Sequence, residues 1–489
     1  MRLPVLVACS CLLAACGGGN NAPKANVAPV PPAVVVPADG AVSAAALAEI
    51  DDYVQGQISQ QHLPGLSLVI ARDGKPVLAK GYGLADMAAN SAVTPGTVFP
   101  IGSVTKQFTA SAIMMLVQEG LIKLDDPITQ YFPTAPAAWT DITVRRLLNH
   151  TSGLPRDFPV EILEKIAAQR GGTPDQVVQL AGTVPLANPT GSAELYSNLG
   201  YHLLGLLVEK TSGLYFADFL RQRVLVPLGM TSADVISTTK ANPARATGYT
   251  RDGNTLQTAS TWFSQPGMVE GEGALQMSAL DLAKWDAALL GERYLSKASL
   301  AEMWTPARLN DGRTAEYGFG WVLDSINHHP FTWHDGRISG FTSQFVRHTN
   351  EGLSVIVLAN LDGASLAKIG TRVSAIMNPA LDWVVAADPQ PDRGTLLRGL
   401  VDDAKRGAFK ADDRFDPSLR AALTAEQVQG INDYFAPWGS ITAFGYVDQV
   451  TIDRTQVARY LVRTQRDQAL IGITTDATGH VTYLTLLSE

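Results

Sequence analysis

Apolar residues recur at three- and four-residue steps over Ala41–Gln61, at Leu47, Ile50, Val54 and Ile58, and this period predicts a helix. The pattern changes over 65–86, GLSLVIARDGKPVLAKGYGLAD. Two strand-like runs meet there at Asp73-Gly74, a pair suited to a tight reversal. A second helix is expected to begin near Ser103 and to run through an apolar stretch to Glu119-Gly120. A short helix over 142–149 stops at the turn-like TSGLP, and 155–195 reads as a helical lobe with loops. Apolar helices follow at Leu199–Lys210 and Phe216–Val226, then another at Ser278–Leu290. Its Ser278 and Asp281 have the spacing of a capping box. Strand-like runs come next at 317–323, 331–334, 342–348 and 353–360, with a closing helix at 369–378.

This order fits an antiparallel sheet whose first strands return to pair with its last ones, flanked by helices, with a helical lobe inserted between. The fold class is α+β. A composition change at 386–395, AADPQPDRGT, places a boundary, so the main domain is expected over 41–386. Beyond it, 396–436 reads as helical with a break near Asp412–Pro417, and 441–486 alternates as strands. The region 395–489 is therefore a small α+β accessory domain, and no catalytic constellation is found in it.

The N-terminal end follows other rules. Met1-Arg2 precedes an apolar run to Leu13, with small residues Ala14 and Ala15 before Cys16. That is an export signal. A bilayer span needs about 20 apolar residues, so the run is too short to serve as one. Leu13-Ala14-Ala15-Cys16 resembles a bacterial lipobox, which implies that 1–16 is a lipoprotein signal and Cys16 the acylated first residue of the mature chain. The expected location is then the periplasmic side of a bacterial envelope, with the lipid anchored in the outer membrane. Residues 17–40, rich in Gly, Pro and Ala, suit a tether.

Composition narrows the function. All three cysteines precede residue 17, so the body must rest on its core rather than on disulfides. With 46% hydrophobic residues such a core is available. The net charge of −8 and the absence of a Lys/Arg-rich tract argue against nucleic acid as a partner.

Ser103-Val104-Thr105-Lys106 places a hydroxyl and an amine three residues apart, on one face of a helix. A lysine there can take the serine proton if burial lowers its pKa. The helix start also favours negative charge developing nearby. The spacing alone does not decide, because Ser237/Lys240 and Ser365/Lys368 share it. Ser237 lies in a polar loop-like run and Ser365 follows a turn, whereas Ser103 opens a long apolar helix. Tyr196-Ser197-Asn198 and His334-Asp335-Gly336 each supply a pattern found once in the chain. Tyr196 can shuttle a proton if a neighbouring ammonium lowers its pKa, and Asn198 can both donate and accept. Gly336 leaves room for substrate along the strand edge, and His334 can contact a carboxylate or the Tyr196 hydroxyl.

Together these elements resemble the serine β-lactamase and penicillin-recognising hydrolases, most closely the class C-like group with its DD-carboxypeptidases, D-amino-acid peptidases and esterases. The resemblance spans about 45–385. It includes HTSGLP (150–155), PLGM (227–230), ALQMSALDLAKW (274–285), YGFGW (317–321) and GRISGF (336–341). It implies Ser103 as acylated nucleophile, Lys106 as its activator, Tyr196 as general base and later acid, and Asn198 as positioning residue. The backbone N–H groups of Ser103 and Arg337 would form the oxyanion hole, beside Gly336. Water would release the acyl group, with no metal or organic cofactor.

His334 departs from the lysine usual in efficient class C-like lactamases and is more similar to peptidase members. The expected function is hydrolysis of D-amino-acid-containing peptides, including peptidoglycan-derived ones, or of small esters. β-Lactamase activity is the alternative, and an inactive cell-wall-binding lipoprotein is the rival from another class. His328-His329 does not read as a metal site, because adjacent side chains diverge. Asp125-Asp126 reads as a turn before Pro127, and His150 as a residue holding the HTSG turn together.

Overall fold

The computed structural model describes residues 42–168, 173–236, 242–253, 255–260, 271–291, 294–452, 455–465 and 467–487. The signal, Cys16, the tether and Ser237/Lys240 lie outside the described residues. Among those described, no helix is long and apolar enough to cross a membrane.

The chain groups into two compact units. The first, residues 63–366, is built on seven strands: β1 (Gly65–Arg72), β2 (Lys75–Asp86), β3 (Ser91–Ala92), β4 (Val322–Ile326), β5 (His329–Ile338), β6 (Phe341–His348) and β7 (Leu353–Ala359). Their order is β4-β5-β6-β7-β1-β2-β3, and every pairing is antiparallel. The early hairpin thus docks beside the last strand, Leu66 opposite Ala359, as the hydrophobic pattern implies. Asp73 and Gly74 both take positive φ, the conformation that closes a two-residue hairpin without splaying its strands.

Two sequence readings are corrected here. The strand expected over 317–323 begins only at Val322. Gly320 is left-handed at φ +79, and a β-carbon on Gly318 would meet the Met303 carbonyl at 2.2 Å, so 317–321 is a turn packed on its neighbours. Ser278 does cap the helix Ala279–Leu290, but the Asp281 carboxylate turns away from the cap and accepts from the backbone and hydroxyl of Ser232.

Helix Ala279–Leu290 lies on β1, β2 and β7. Its Trp285 stacks on Phe108 of the central helix Thr105–Gln118 at 4.4 Å. That helix is buried along nearly its whole length and contacts the helix Asn198–Ser212. The inserted lobe contains the helices Val160–Ala168 and Pro174–Ala181, the latter opened by a Thr173/Gln176 capping box.

The second unit joins the helix Ala44–Gln61 to residues from 367 onward. The sequence places a boundary at 386–395, whereas this grouping puts the helix Ala367–Met377 with the C-terminal part. The polar contacts explain it: Lys368 bonds Asp467 at 2.7 Å, Arg372 reaches both Glu49 and Asp382, and Arg463 also holds Asp382. The helices Pro391–Lys405, Pro417–Ala422 and Ala425–Phe435 precede an antiparallel meander of β8 (Ile441–Ile452), β9 (Thr455–Thr464), β10 (Gln468–Thr475) and β11 (Val481–Leu487).

Candidate active site

A short 3-10 turn, Gly102–Val104, precedes the central helix and puts Ser103 one turn before Lys106. Two glycines seat this turn. Gly102 is left-handed at φ +51, and a β-carbon on it would stand 2.8 Å from the Arg337 backbone nitrogen. A β-carbon on Gly336 would stand 1.9 Å from the Ile101 carbonyl oxygen, which also accepts from Ser343 Oγ at 2.7 Å. The space at Gly336 is therefore taken by the chain leading into Ser103. The sequence reading gave that space to substrate; the close approach of backbone to backbone assigns it to the protein itself.

Lys106 is fully buried. Its Nζ lies 3.0 Å from Ser103 Oγ, 2.8 Å from Asn198 Oδ1 and 2.8 Å from the Glu272 carbonyl oxygen. Burial disfavours the ammonium and brings its pKa down to about 7; Glu272 works against that shift and Arg156 with it. Two of the three neighbours are carbonyl oxygens, which can only accept. A neutral amine must spend its two N–H bonds on them, so its lone pair is left facing Ser103 Oγ.

Asn198 begins the helix Asn198–Ser212, capped by Ser197, whose Oγ accepts from Gly200 N. Its amide accepts from Lys106 and donates to Asp157 Oδ1 at 2.6 Å, the dual use expected of it. The Tyr196 hydroxyl is hydrogen-bonded to Ser103, and its ring lies 4.8 Å from Lys106 Nζ. Burial raises the Tyr196 pKa well above the usual phenol value, outweighing the Ser103 hydrogen bond. The lowered pKa anticipated from the sequence is not what this environment produces, so the group at neutral pH is a phenol rather than a phenolate.

His334 is buried, and its Nδ1 lies 2.5 Å from the Asp335 carbonyl oxygen. That oxygen can only accept, so Nδ1 carries the proton and Nε2 accepts from the Tyr317 hydroxyl at 2.8 Å. Burial lowers the His334 pKa to about 4, against the pull of Asp335. His334 is therefore a neutral group engaged with Tyr317, and its ring centroid is 6.2 Å from that of Tyr196. The exposed Arg337 lies 3.9 Å from Asp335, while Arg156 lies over the Tyr196 ring at 5.2 Å.

The structure thus gathers Ser103, Lys106, Tyr196, Asn198, His334, Gly336 and Arg337 around one turn. The spacing decoy Ser365/Lys368 does not reproduce this arrangement. Burial works against the Lys368 ammonium, but Tyr434 and Asp467 outweigh it and hold the lysine charged. Asp125 pairs with Arg145 as a turn residue, and Asn327 and His328 form the hairpin turn between β4 and β5 at positive φ. The sequence alone does not point to Glu272, Asp157 or Tyr317 individually. Tyr317 lies in the YGFGW phrase, but nothing in the sequence marks Glu272, which meets Lys106 through its backbone carbonyl and through the charge of its carboxylate.

A family model described as Beta-lactamase matches residues 50–375. Penicillin-binding protein 4* of Bacillus subtilis (strain 168) is 29% identical over 318 residues, covering 62% of this chain and 69% of that protein. Protein flp of Staphylococcus aureus is 27% identical over 328 residues, covering 66% and 64%. Among solved structures, the octameric penicillin-binding protein homologue from Pyrococcus abyssi aligns with a TM-score of 0.59 at 22% identity, over 87% of this chain and 98% of that one. D-amino acid amidase from Ochrobactrum anthropi SV3 aligns with a TM-score of 0.56 at 26% identity, over 65% and 92%.

Proposed function

This chain belongs to the β-lactamase family, and on that premise we propose that it is a serine hydrolase forming an acyl-enzyme on Ser103. The observation that carries the proposal is the lone pair of Lys106, which among the described residues is left facing Ser103 Oγ once two carbonyl oxygens take its N–H bonds.

In the forward step neutral Lys106 takes the Ser103 proton as Oγ bonds to the substrate carbonyl carbon. The oxygen of the tetrahedral intermediate is met by the backbone N–H groups of Ser103 and Arg337. Lys106 passes the proton to Tyr196, whose own proton goes to the departing amine or alcohol as its bond to carbon breaks. Water then attacks the ester, losing its proton along the same relay in reverse, and Ser103 is restored. Tyr196 acts as acid and relay, and Lys106 is the group that first accepts the proton.

The substrate class proposed is D-amino-acid-containing peptides or amides, with small esters as accessible surrogates. The likeness to D-amino acid amidase and to penicillin-binding proteins supports it. Neutral His334 supports it too, because it offers no fixed cation where efficient lactamases hold lysine. Export and acylation at Cys16, with peptidoglycan-derived substrates within reach of the anchored enzyme, remain part of the proposal on the strength of the lipobox. Labelled palmitate incorporated into the native chain and absent from Cys16→Ala would test that part.

The central test treats tether-free protein with a fluorophosphonate and a labelled penicillin and maps the adduct. Adduct at Ser103 is expected. Folded protein unlabelled by both probes would leave the binding-module reading in its place.

A further inference from the structure

His150 is buried completely and takes φ +59, a left-handed backbone that is unfavourable for a residue with a β-carbon and persists only where surroundings demand it. Its carbonyl accepts from Leu195 N at 2.8 Å, and its Nδ1 accepts from Ser197 N at 3.1 Å. Those two amides flank Tyr196. The His150 ring lies 4.3 Å from the Tyr196 ring and 4.3 Å from that of Tyr317, with Tyr201 at 5.1 Å. Tyr317 in turn donates to His334.

Because a backbone N–H can only donate, Nδ1 must be the bare nitrogen and the proton must sit on Nε2. Nε2 is buried and has no hydrogen-bond partner among the described residues. Burial and the charges of Lys106 and Arg156, together with His334, oppose a second proton on the ring. A protonated ring would also lose the Ser197 bond, because Nδ1 would no longer accept.

We propose that His150 is a positioning residue for Tyr196: its carbonyl and Nδ1 hold the backbone on both sides of the tyrosine, and its ring, beside that of Tyr317, fixes the phenol toward Ser103. The proposal rests on the acyl-enzyme reading above and adds a residue that touches neither substrate nor Ser103. It also explains why an imidazole occupies a strained position that a turn alone would fill with glycine or asparagine.

The test compares His150→Asn, His150→Ala and Tyr317→Phe with the wild type, using kcat and KM on a p-nitrophenyl ester and the imidazole 15N spectrum of the intact protein. Asparagine tolerates positive φ and can still accept from Ser197 N, but it lacks the ring. It is expected to fold and to lower kcat about 10- to 100-fold with KM little changed, the scale of a misplacement of about 1 Å. His150→Ala is expected to fall further, and Tyr317→Phe, which keeps its ring, to fall less. The 15N signals absent from His150→Asn should show Nδ1 unprotonated and Nε2 protonated from pH 5 to 9. Wild-type kcat in folded His150→Asn would overturn the proposal, as would a protonated Nδ1. If the wild type itself fails to acylate at Ser103, it is the acyl-enzyme reading that fails, and the 15N spectrum still decides the bond to Ser197.

Discussion

Gly336 and Ile101 meet so closely that a β-carbon on the glycine would stand 1.9 Å from the Ile101 carbonyl oxygen, two residues before Ser103. The strand and the turn that holds Ser103 are thus docked backbone to backbone, with Ser343 Oγ bonding the same oxygen. Gly336→Ala must push this turn away from β5. The expected outcome is a loss of about 2 kcal/mol of stability in denaturant melts. Folded protein should also acylate Ser103 about 100-fold more slowly, because the turn carries the proposed nucleophile. A stable variant with wild-type labelling rate would refute the docking argument.

Acylation should follow the protonation of Lys106. Its pKa of about 7 implies a labelling rate that falls on the acid side of pH 7 and levels off above it. Two neighbours should move that limb in opposite directions. Glu272 favours the ammonium, so Glu272→Gln lowers the pKa and carries the limb to lower pH. Arg156 opposes the ammonium, so Arg156→Gln carries it to higher pH. The Arg156 effect should shrink at high salt, since its side chain is 68% exposed. Pre-steady-state labelling across pH 5–9 checks both signs.

Substrate preference follows from neutral His334. With its Nε2 accepting from Tyr317 and its pKa near 4, it supplies no positive charge for a β-lactam carboxylate at any pH where Lys106 is active. A short-chain p-nitrophenyl ester and a D-amino-acid amide are expected to turn over measurably and a chromogenic cephalosporin only weakly. Rapid cephalosporin hydrolysis would mean that another cation, such as Arg156 or Arg337, does this work.

Stability away from the site depends on a buried ion pair. Arg347 Nε bonds Asp286 Oδ1 at 2.6 Å with both side chains almost wholly enclosed, and Ser354 Oγ bonds the same oxygen at 2.9 Å. Asp286→Ala leaves a buried guanidinium without its counter-charge and should cost about 3–5 kcal/mol. Urea unfolding measures the loss, while labelling of the remaining folded protein should keep its wild-type rate.

Much of this was legible in the sequence because it depends on local pattern. Strand-like runs over 65–86 and 342–360 place the strands, Asp73-Gly74 places the turn of the first hairpin, and the apolar run behind Ser103 places the central helix. The same run explains why Lys106 is buried, so the serine–lysine pair was readable despite two decoys with its spacing. The 317–323 segment reads as a strand because its aromatic residues have strand-like composition. A left-handed Gly320 and the close approach of Gly318 to Met303, which no local pattern records, decide otherwise.

What the sequence determined by itself was the inventory: which residues could do chemistry, and which elements would carry them. Their electrostatic state was decided only by tertiary structure. Burial raised Tyr196 rather than lowering it, a backbone carbonyl of Glu272 aimed the Lys106 lone pair, and Tyr317 fixed His334 as a neutral acceptor. These outcomes depend on desolvation and on contacts between residues that are far apart in the chain. Neither quantity is a property of the chain order alone.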